Sequence, residues 1–168
     1  IESGSQEIRD IMKKGLKQQR IYDVVFELAK YDHLFIKAFF IIGMPEDTME
    51  SLEATRSLIR EIPINRFNLN YATPFPGTAL FNQLKAMKKL KYDVEDYVLI
   101  DGHQLRSDRP HYAPFKLTEE QLMEFMAWGE QYAAKLSDSS VTTETDIKRR
   151  EAIKVRRKEN DLYTAFPE

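Results

Sequence analysis

The pattern of hydrophobic and polar positions predicts two strands with helices on either side of them. Residues 34–42 (LFIKAFFII) form a nearly continuous apolar run, whose length and Phe and Ile content favour a strand buried on both faces. Residues 66–72 (RFNLNYA) alternate between apolar and polar side chains, which is typical of a second strand. Apolar residues at helical spacing predict helices over five ranges: 6–14, 18–31, 48–61, 78–89 and 118–136.

Residues that favour helix ends support these boundaries. Ser5 and Thr78 precede helical segments as N-caps, and Thr48 and Thr118 each open a capping-box pattern. Gly15 offers a stop for the first helix. Helices and strands therefore alternate with short loops, which predicts an α/β fold built from βα units. Because consecutive βα units place their strands side by side, we expect the two strands to be adjacent and parallel.

The regular alternation ends near residue 91. Residues 92–114 are polar, aromatic and irregular, 137–145 are rich in Ser and Thr, and 147–158 (IKRREAIKVRRK) form a candidate basic helix. We therefore divide the chain into a domain of βα units, 1–91, and an irregular, helical C-terminal extension, 92–168.

The composition excludes several classes of function. The 168 residues carry a net charge of −2, which does not indicate a nucleic-acid module. Residues 148–158 hold seven basic residues and one acid, for which a solvated helix face is the commoner meaning than an acidic partner. The absence of cysteine excludes disulfides, thiolate zinc sites, a cysteine nucleophile and an iron–sulfur cluster held by this chain alone. No apolar run approaches the roughly 20 residues of a membrane span, so we expect a cytoplasmic protein.

The loops that follow strands are the candidate binding site. Residues 2–5 (ESGS), 43–47 (GMPED) and 73–77 (TPFPG) mix turn-forming residues with polar ones. Ligands of parallel α/β folds sit at the carboxyl ends of strands, where glycine lets a ligand approach the backbone closely. Free backbone groups there could bind adenine or an amino-acid carboxylate. Each loop taken singly is also compatible with an ordinary βα turn, but their recurrence at successive strand ends favours a binding site.

The three histidines are considered as structural residues or as metal ligands. His33 precedes the first strand at the end away from the ligand face, which favours a structural role. His103 and His111 lie near Asp101 and Asp108, and these four residues could bind a metal ion. Their spacing fits no known ligand pattern, so we assign no metal ligand. We favour a loop over the mouth of the fold that helps to enclose a substrate.

Three segments together resemble radical SAM enzymes. Residues 1–5 (IESGS) look like the fourth-strand signature of that family, 39–48 (FFIIGMPEDT) resemble the fifth strand, and 73–78 (TPFPGT) resemble the sixth. They occur in the family's order and spacing over about residues 1–85. The TPFPGT form is similar to the cobalamin-associated Fe–S oxidoreductases, a branch that includes the anaerobic cyclases of magnesium-protoporphyrin IX monomethyl ester.

The resemblance implies half of a TIM-type βα barrel that binds S-adenosylmethionine (SAM) at its strand ends. It implies that Glu2 and Ser3 face the amino-acid or ribose part of SAM. One of Ile41 and Ile42 would contact the adenine, since strand alternation turns only one of them inward. The cofactor-binding residues implied by the family are these: Glu2, Ser3, Ile41, Gly43, Thr73 and Pro74. Cobalamin is a further cofactor of the branch.

The chain lacks the cysteine loop and the first three strands of the radical SAM pattern. The cysteines of that loop, CxxxCxxC, bind the 4Fe–4S cluster in the family. We therefore expect the C-terminal half of a larger enzyme, with the missing N-terminal half as its partner and no SAM cleavage by this chain alone. Ala38 replaces the first glycine of the fifth-strand motif. Either Glu46 or Asp47 could supply the acid of that motif.

A partial barrel also leaves sheet edges open, so the chain should either self-associate or cover its sheet with the 118–136 helix.

Alternative functions remain open at the level of sequence. The first alternative is a non-catalytic α/β binding or interaction module derived from the same barrel. A methylthiotransferase is weaker, because that group usually ends in a small β-barrel domain and nothing after residue 91 alternates like one. The reading frame upstream of Ile1 distinguishes the enzyme fragment from the non-catalytic module. Continuation into CxxxCxxC indicates the enzyme, whereas a start codon immediately before Ile1 indicates the module.

Overall fold

The computed structural model describes residues 1–31, 33–92 and 109–137. In these ranges the elements are α1 (Gln6–Ile11), α2 (Gln18–Leu28), β1 (Lys37–Ile42), α3 (Met49–Glu61), β2 (Arg66–Tyr71), α4 (Ala79–Ala86) and α5 (Glu119–Ser137). The fold is therefore α/β, as the sequence predicts. The predictions made for His103, Asp101, Asp108, the 137–145 linker beyond Ser137 and the 147–158 helix lie outside the described residues.

The two strands are adjacent and parallel, which confirms the predicted pairing. Lys37 of β1 lies opposite Arg66 of β2, and Ile42 lies opposite Tyr71. On the other side of β1, Glu2 forms an isolated parallel bridge with Phe40. Glu2 N–H donates to Phe39 O at 2.9 Å, and Ile41 N–H donates to Glu2 O at 2.8 Å. β1 is therefore flanked on both sides, and the first residues of the chain extend the sheet.

β1 is buried on one face only, so the expectation of burial on both faces is wrong. Ala38, Phe40 and Ile42 are buried, whereas Phe39 on the opposite face is 49% exposed. The reason is that the apolar stripes of α2, α3 and α5 all pack on the Phe40 side. The core on that side contains these buried residues: Ile21, Val25, Ala38, Phe40, Leu58, Ile59, Ile62, Ile64 and Phe67.

α5 folds back over the helix-facing side of β2. Leu122, Phe125 and Met126 are buried in one cluster with Ile42 and Tyr71. This packing is the alternative to self-association considered for the sheet, because it covers apolar surface within one chain. None of the helices in the described ranges combines the length and apolarity that crossing a bilayer requires.

The helix caps follow the sequence prediction, but some boundaries differ. Thr48 caps α3 in a reciprocal pair with Ser51, and Thr78 caps α4 by accepting from Phe81 N–H. α1 ends at Ile11 rather than near Gly15. Lys13 there adopts φ +54°, and Lys14 N–H donates to Arg9 O at 3.0 Å. This Schellman arrangement turns the chain before the glycine that was expected to stop the helix.

The opposite burial of Ile41 and Ile42 leads to a testable difference. Ile42 is 1% exposed in the core, whereas Ile41 on the other face is only partly buried. We expect Ile42→Val to lower the free energy of unfolding by about 1 kcal/mol, since it removes a buried methyl group. Ile41→Val should lower it by clearly less. Urea denaturation of both variants measures the difference, and equal losses would contradict the assigned faces.

Candidate functional site

The three strand-end loops meet at the carboxyl edge of the sheet. The parallel bridge at Glu2 aligns the first loop with the end of β1. Beyond the Ile42–Tyr71 pair, Ala72 N–H donates to Ile42 O at 2.8 Å, which brings Thr73 alongside the loop that begins at Gly43. The structure thus brings the polar loops singled out in the sequence to one edge.

In the first loop, the side chains of Glu2 and Ser3 are engaged within the protein. Glu2, at φ +73°, forms an ion pair with Lys14 at 3.0 Å. Ser3 is buried, and its Oγ lies 3.3 Å from Thr55 Oγ1 on α3. Ser5 N–H also donates to Ser3 Oγ at 3.1 Å. The hydroxyl and both backbone groups of Ser3 are therefore bonded within the protein, since Ser3 N–H donates to Ile1 O at 3.0 Å and Ser3 O accepts from Arg9. The Glu2 carboxylate is partly exposed.

The guanidinium of Arg9 links this loop to the segment after α1 by hydrogen bonds. Its Nη1 donates to Ser3 O at 2.6 Å and its Nε donates to Leu16 O at 2.9 Å. Nη2 donates to the side-chain oxygens of Gln6 and Gln18 at 3.0 and 2.7 Å. Burial lowers the pKa of the Arg9 guanidinium, which nevertheless stays protonated because its ordinary value is so high. The buried cation thus fixes the backbone that precedes α1.

In the second loop, the structure distinguishes Asp47 from Glu46. Asp47 is buried, and its Oδ2 accepts from Gly43 N–H and Met44 N–H, both at 2.9 Å. Its Oδ1 accepts from Ser51 Oγ at 2.6 Å. Burial raises the pKa of the Asp47 carboxyl, and these same hydrogen bonds oppose the rise. Asp47 therefore holds the loop in shape, and its oxygens are already bonded within the protein.

Glu46 has the opposite character. Its Oε2 is buried and accepts no hydrogen bond within the described residues. A buried acceptor without a donor is costly, and such atoms are few in native proteins. The neighbouring Tyr112 is influenced by this carboxylate, since burial first, and then the charges of Asp47 and Glu46, raise the pKa of the Tyr112 phenol. Glu46 thus has a buried carboxylate oxygen that is left for a ligand donor in the described part of this edge.

Gly43 occupies a conformation that favours glycine. Its φ is +83°, and a Cβ there would lie 3.3 Å from Leu122 Cδ1. Its carbonyl accepts a hydrogen bond from the Tyr112 hydroxyl. Ile41, two residues earlier, packs partly against the cluster that contains Tyr112 and Ala72. The side chain of Ile41 therefore lies on the face opposite α2, α3 and α5, beside a cluster that includes Leu84 of α4, while Ile42 is buried in the core.

In the third loop, Thr73 contacts a histidine. Thr73 Oγ1 lies 2.9 Å from Nδ1 of the buried His111 and 3.3 Å from Tyr71 O. His111 also makes edge contacts with Tyr71 and Tyr92, at centroid distances of 6.3 and 6.2 Å. Pro74 is fully buried, so it shapes the loop from inside. The segment around His111 therefore lies against the strand ends, as the enclosing-loop interpretation requires.

Sequence reasoning missed Tyr112, Arg9 and Thr55. An arginine in a short helix and a threonine in an amphipathic helix look like ordinary surface residues, and only their burial reveals them. For Tyr112, the neighbouring His111 drew attention to the segment, but no sequence signal indicates a bond to Gly43. His33 is exposed and contacts Tyr31 edge-on, which agrees with a role away from the site.

Of the two groups that the family resemblance implies, the residues present fit the adenosyl group of SAM but not the iron–sulfur cluster. The chain has no cysteine, so it supplies no thiolate for an iron–sulfur cluster. An adenosyl group fits better, because the edge offers an apolar side chain at Ile41, a backbone without a side chain at Gly43 and a buried acceptor on Glu46. Within the described residues no group of three His, Asp or Glu side chains could hold a metal ion.

Comparison with known proteins shows similarity to methyl-transferring enzymes. An uncharacterized methyltransferase of Pyrococcus horikoshii is 36% identical over 105 residues, covering 59% of this chain and 23% of that protein. The bacteriochlorophyllide d C-12(1)-methyltransferase of Chlorobaculum tepidum is 30% identical over 125 residues, covering 73% and 25%. A tRNA-2-methylthio-N(6)-dimethylallyladenosine synthase of Fervidobacterium nodosum is 29% identical over 86 residues, covering 51% and 20%. No protein-family profile matches the chain.

The chain spans about a quarter of the length of the first two of these relatives. The similarities therefore support kinship with methyltransferase and methylthiotransferase enzymes at low identity and over part of each protein.

Proposed function

We propose that this chain is the C-terminal part of a radical SAM methyltransferase and forms half of its βα barrel. In this proposal the carboxyl edge binds SAM, and the 4Fe–4S cluster is held by cysteines of the missing N-terminal half. That cluster would supply the electron for SAM cleavage, and this chain provides no thiolate ligand to it. We further propose a cobalamin cofactor and a tetrapyrrole substrate, and an oxidoreductase reaction is the alternative to methyl transfer.

The observation that carries the proposal is the arrangement of two parallel strand ends and the bridged segment at Glu2, with an unsatisfied acceptor beside them in the described residues. Gly43 and Thr73 lie in neighbouring loops, and the buried Oε2 of Glu46 accepts no bond in the described part of the chain. A ligand amine or hydroxyl would supply the missing donor. Ile41, on the face away from α2, α3 and α5 and only partly buried, offers an apolar surface for a flat base.

The residues divide into those that would touch SAM and those that hold its site. Glu2 of the first loop, together with Glu46, Ile41 and the backbone at Gly43, would contact the ligand. Asp47 and Arg9 keep the loops in place through hydrogen bonds that are already complete in the structure. Ser3 and Pro74 contribute through backbone position, because their side chains are buried on the inner side.

Methyl transfer is favoured over methylthio transfer. The two methyltransferases match at 36% and 30% identity and cover 59% and 73% of this chain. The methylthio-type relatives match at 29% and 30% and cover 51% and 53% of this chain, so it is the larger coverage that favours the methyltransferases. The non-catalytic module remains the alternative from another class, and it predicts no selective SAM binding at this edge.

Titration of the 15N-labelled chain with SAM tests the proposal. We expect amide shifts at Ile41, Gly43 and Thr73, with weak affinity because half of the site is absent. Glu46→Gln should raise the dissociation constant about tenfold, since a charge-assisted hydrogen bond is weakened. Glu130→Gln, an exposed change of the same charge on α5, should leave the affinity unchanged.

Two results would contradict this function. The first is a saturating amount of SAM that moves none of the three edge amides. The second is an equal loss of affinity in Glu46→Gln and Glu130→Gln, which would indicate a general effect of charge rather than a contact at the edge.

A further inference from the structure

α3 buries two hydroxyl groups on the side that faces the strand-end loops. Ser51 and Thr55 are one helical turn apart, and both are buried. Buried Ser and Thr in helices commonly bond only to the carbonyl four residues earlier. Here Thr55 Oγ1 makes such a bond to Ser51 O at 3.0 Å, but each hydroxyl also bonds to a loop outside the helix.

The Thr55 hydroxyl bonds to the first loop. Gly4 N–H donates to Thr55 Oγ1 at 2.9 Å, and Ser3 Oγ lies 3.3 Å from the same atom. Because the Thr55 proton is used on Ser51 O, Thr55 acts as acceptor towards the loop. Ser3 can then donate to Thr55 while accepting from Ser5 N–H. One oxygen on α3 thus bonds to two consecutive residues of the first loop, Ser3 and Gly4, and Ser5 is linked to it through Ser3 Oγ.

The Ser51 hydroxyl bonds to the second loop. Ser51 Oγ donates to Asp47 Oδ1 at 2.6 Å, while Asp47 Oδ2 accepts from Gly43 and Met44 N–H. Ser51 Oγ also accepts from Thr48 N–H at 2.9 Å as part of the helix cap. Its position therefore sets the orientation of the carboxylate that shapes the Gly43 loop.

The two loops are thereby fixed to adjacent turns of one rigid element. Their relative position would otherwise depend on the bridge at Glu2, which is a single residue of pairing. A buried hydrogen bond has little freedom to lengthen, so the pair of hydroxyls restricts the spacing between the loops.

We propose that Ser51 and Thr55 are positioning residues that set the spacing of the first and second loops for ligand binding. This inference rests on the proposed function, because SAM is the ligand that spans the two loops. Neither residue touches the ligand. Each acts through its loop, Thr55 through Gly4 and Ser51 through Asp47.

Amide hydrogen exchange measured by NMR on the full chain tests the positioning role. Thr55→Val keeps the shape of the side chain and removes the hydroxyl, so Gly4 should exchange about tenfold faster, which corresponds to one buried hydrogen bond. Ser51→Ala should speed exchange at Gly43 and Met44 by a similar factor. Thr55→Ser, which restores the hydroxyl, should return Gly4 to a rate near that of wild type.

Ile59→Val is the matched control. Ile59 is a fully buried residue of α3 in the core cluster beneath the sheet. Its substitution should lower overall stability without selectively exposing the amides of Gly4 or Gly43. If it changes those amides as much as Thr55→Val does, the hydroxyl has no special role in positioning the loop, and the inference fails.

SAM titration of the same variants separates this inference from the proposed function. We expect Thr55→Val and Ser51→Ala each to weaken SAM binding about tenfold, and Ile59→Val to leave it unchanged. If wild type binds SAM and both hydroxyl variants bind it equally well, the positioning inference is wrong while the proposed function stands. If wild type does not bind SAM, the proposed function fails and the ligand role of this pair fails with it.

Discussion

Gly4→Ala is expected to lower the free energy of unfolding by about 3 kcal/mol or more. A Cβ at this position would lie 2.2 Å from Ala54 O and 2.4 Å from Thr55 Cα. Both are backbone atoms of α3, so no side-chain rotation can relieve the overlap. The first loop would have to move away from the helix, and the bond from Gly4 N–H to Thr55 would be lost with it. Urea denaturation followed by circular dichroism measures the loss.

Gly129→Ala is the control for this substitution. A Cβ at Gly129 would lie 2.6 Å from Leu69 Cδ2, which is the end of a flexible side chain. Leu69 can rotate, and alanine favours the helix by about 1 kcal/mol relative to glycine. We expect Gly129→Ala to stay within about 1 kcal/mol of wild type. Equal effects at the two glycines would mean that the loop does not approach α3 as closely as described.

Asp47→Ala is expected to lower the free energy of unfolding by about 3 kcal/mol. The substitution removes the acceptor for Gly43 N–H, Met44 N–H and the Ser51 hydroxyl. Each donor left buried without a partner is costly, although relief of the buried charge offsets part of the loss. The loop between β1 and α3 should loosen first, which exchange at the Gly43 amide would detect.

Glu46→Ala provides a neighbouring comparison. Its buried Oε2 has no hydrogen bond in the described residues, so its removal should change the free energy of unfolding by less than about 1 kcal/mol. Glu46→Ala should instead weaken SAM binding. The two variants therefore distinguish a carboxylate that stabilises the fold, Asp47, from a neighbouring carboxylate that binds the ligand, Glu46. If Glu46→Ala destabilises the chain as much as Asp47→Ala, this division of roles is wrong.

Much of the fold was predictable because it depends on near neighbours in sequence. The N-caps at Thr48, Thr78 and Thr118 are determined by a hydroxyl and the next three residues, and all three form as predicted. The parallel pairing of β1 and β2 follows from a helix of suitable length between them. The same local pattern could not show that β1 has an open face, since a run of apolar residues is compatible with either case.

The position of the loops at the carboxyl edge was also predictable, but the role of each side chain in them was not. Sequence alone indicated that Gly43, Glu46, Asp47 and Thr73 follow strands. It could not distinguish the two acids, because they differ only in which way the turn directs each carboxylate. The turn points Asp47 at three donors and leaves Glu46 Oε2 without one among the described residues.

The sequence by itself thus determined the order of helices and strands, their caps, and the loops in which a ligand site is expected. Only the tertiary structure decided that Ile42 enters the core while Ile41 does not, and that Ser3 meets Thr55, 52 positions further along the chain. The physical reason is the range of the forces involved. Caps and periodicity are satisfied within one or two turns, whereas burial and long-range hydrogen bonds depend on how separate elements pack against one another.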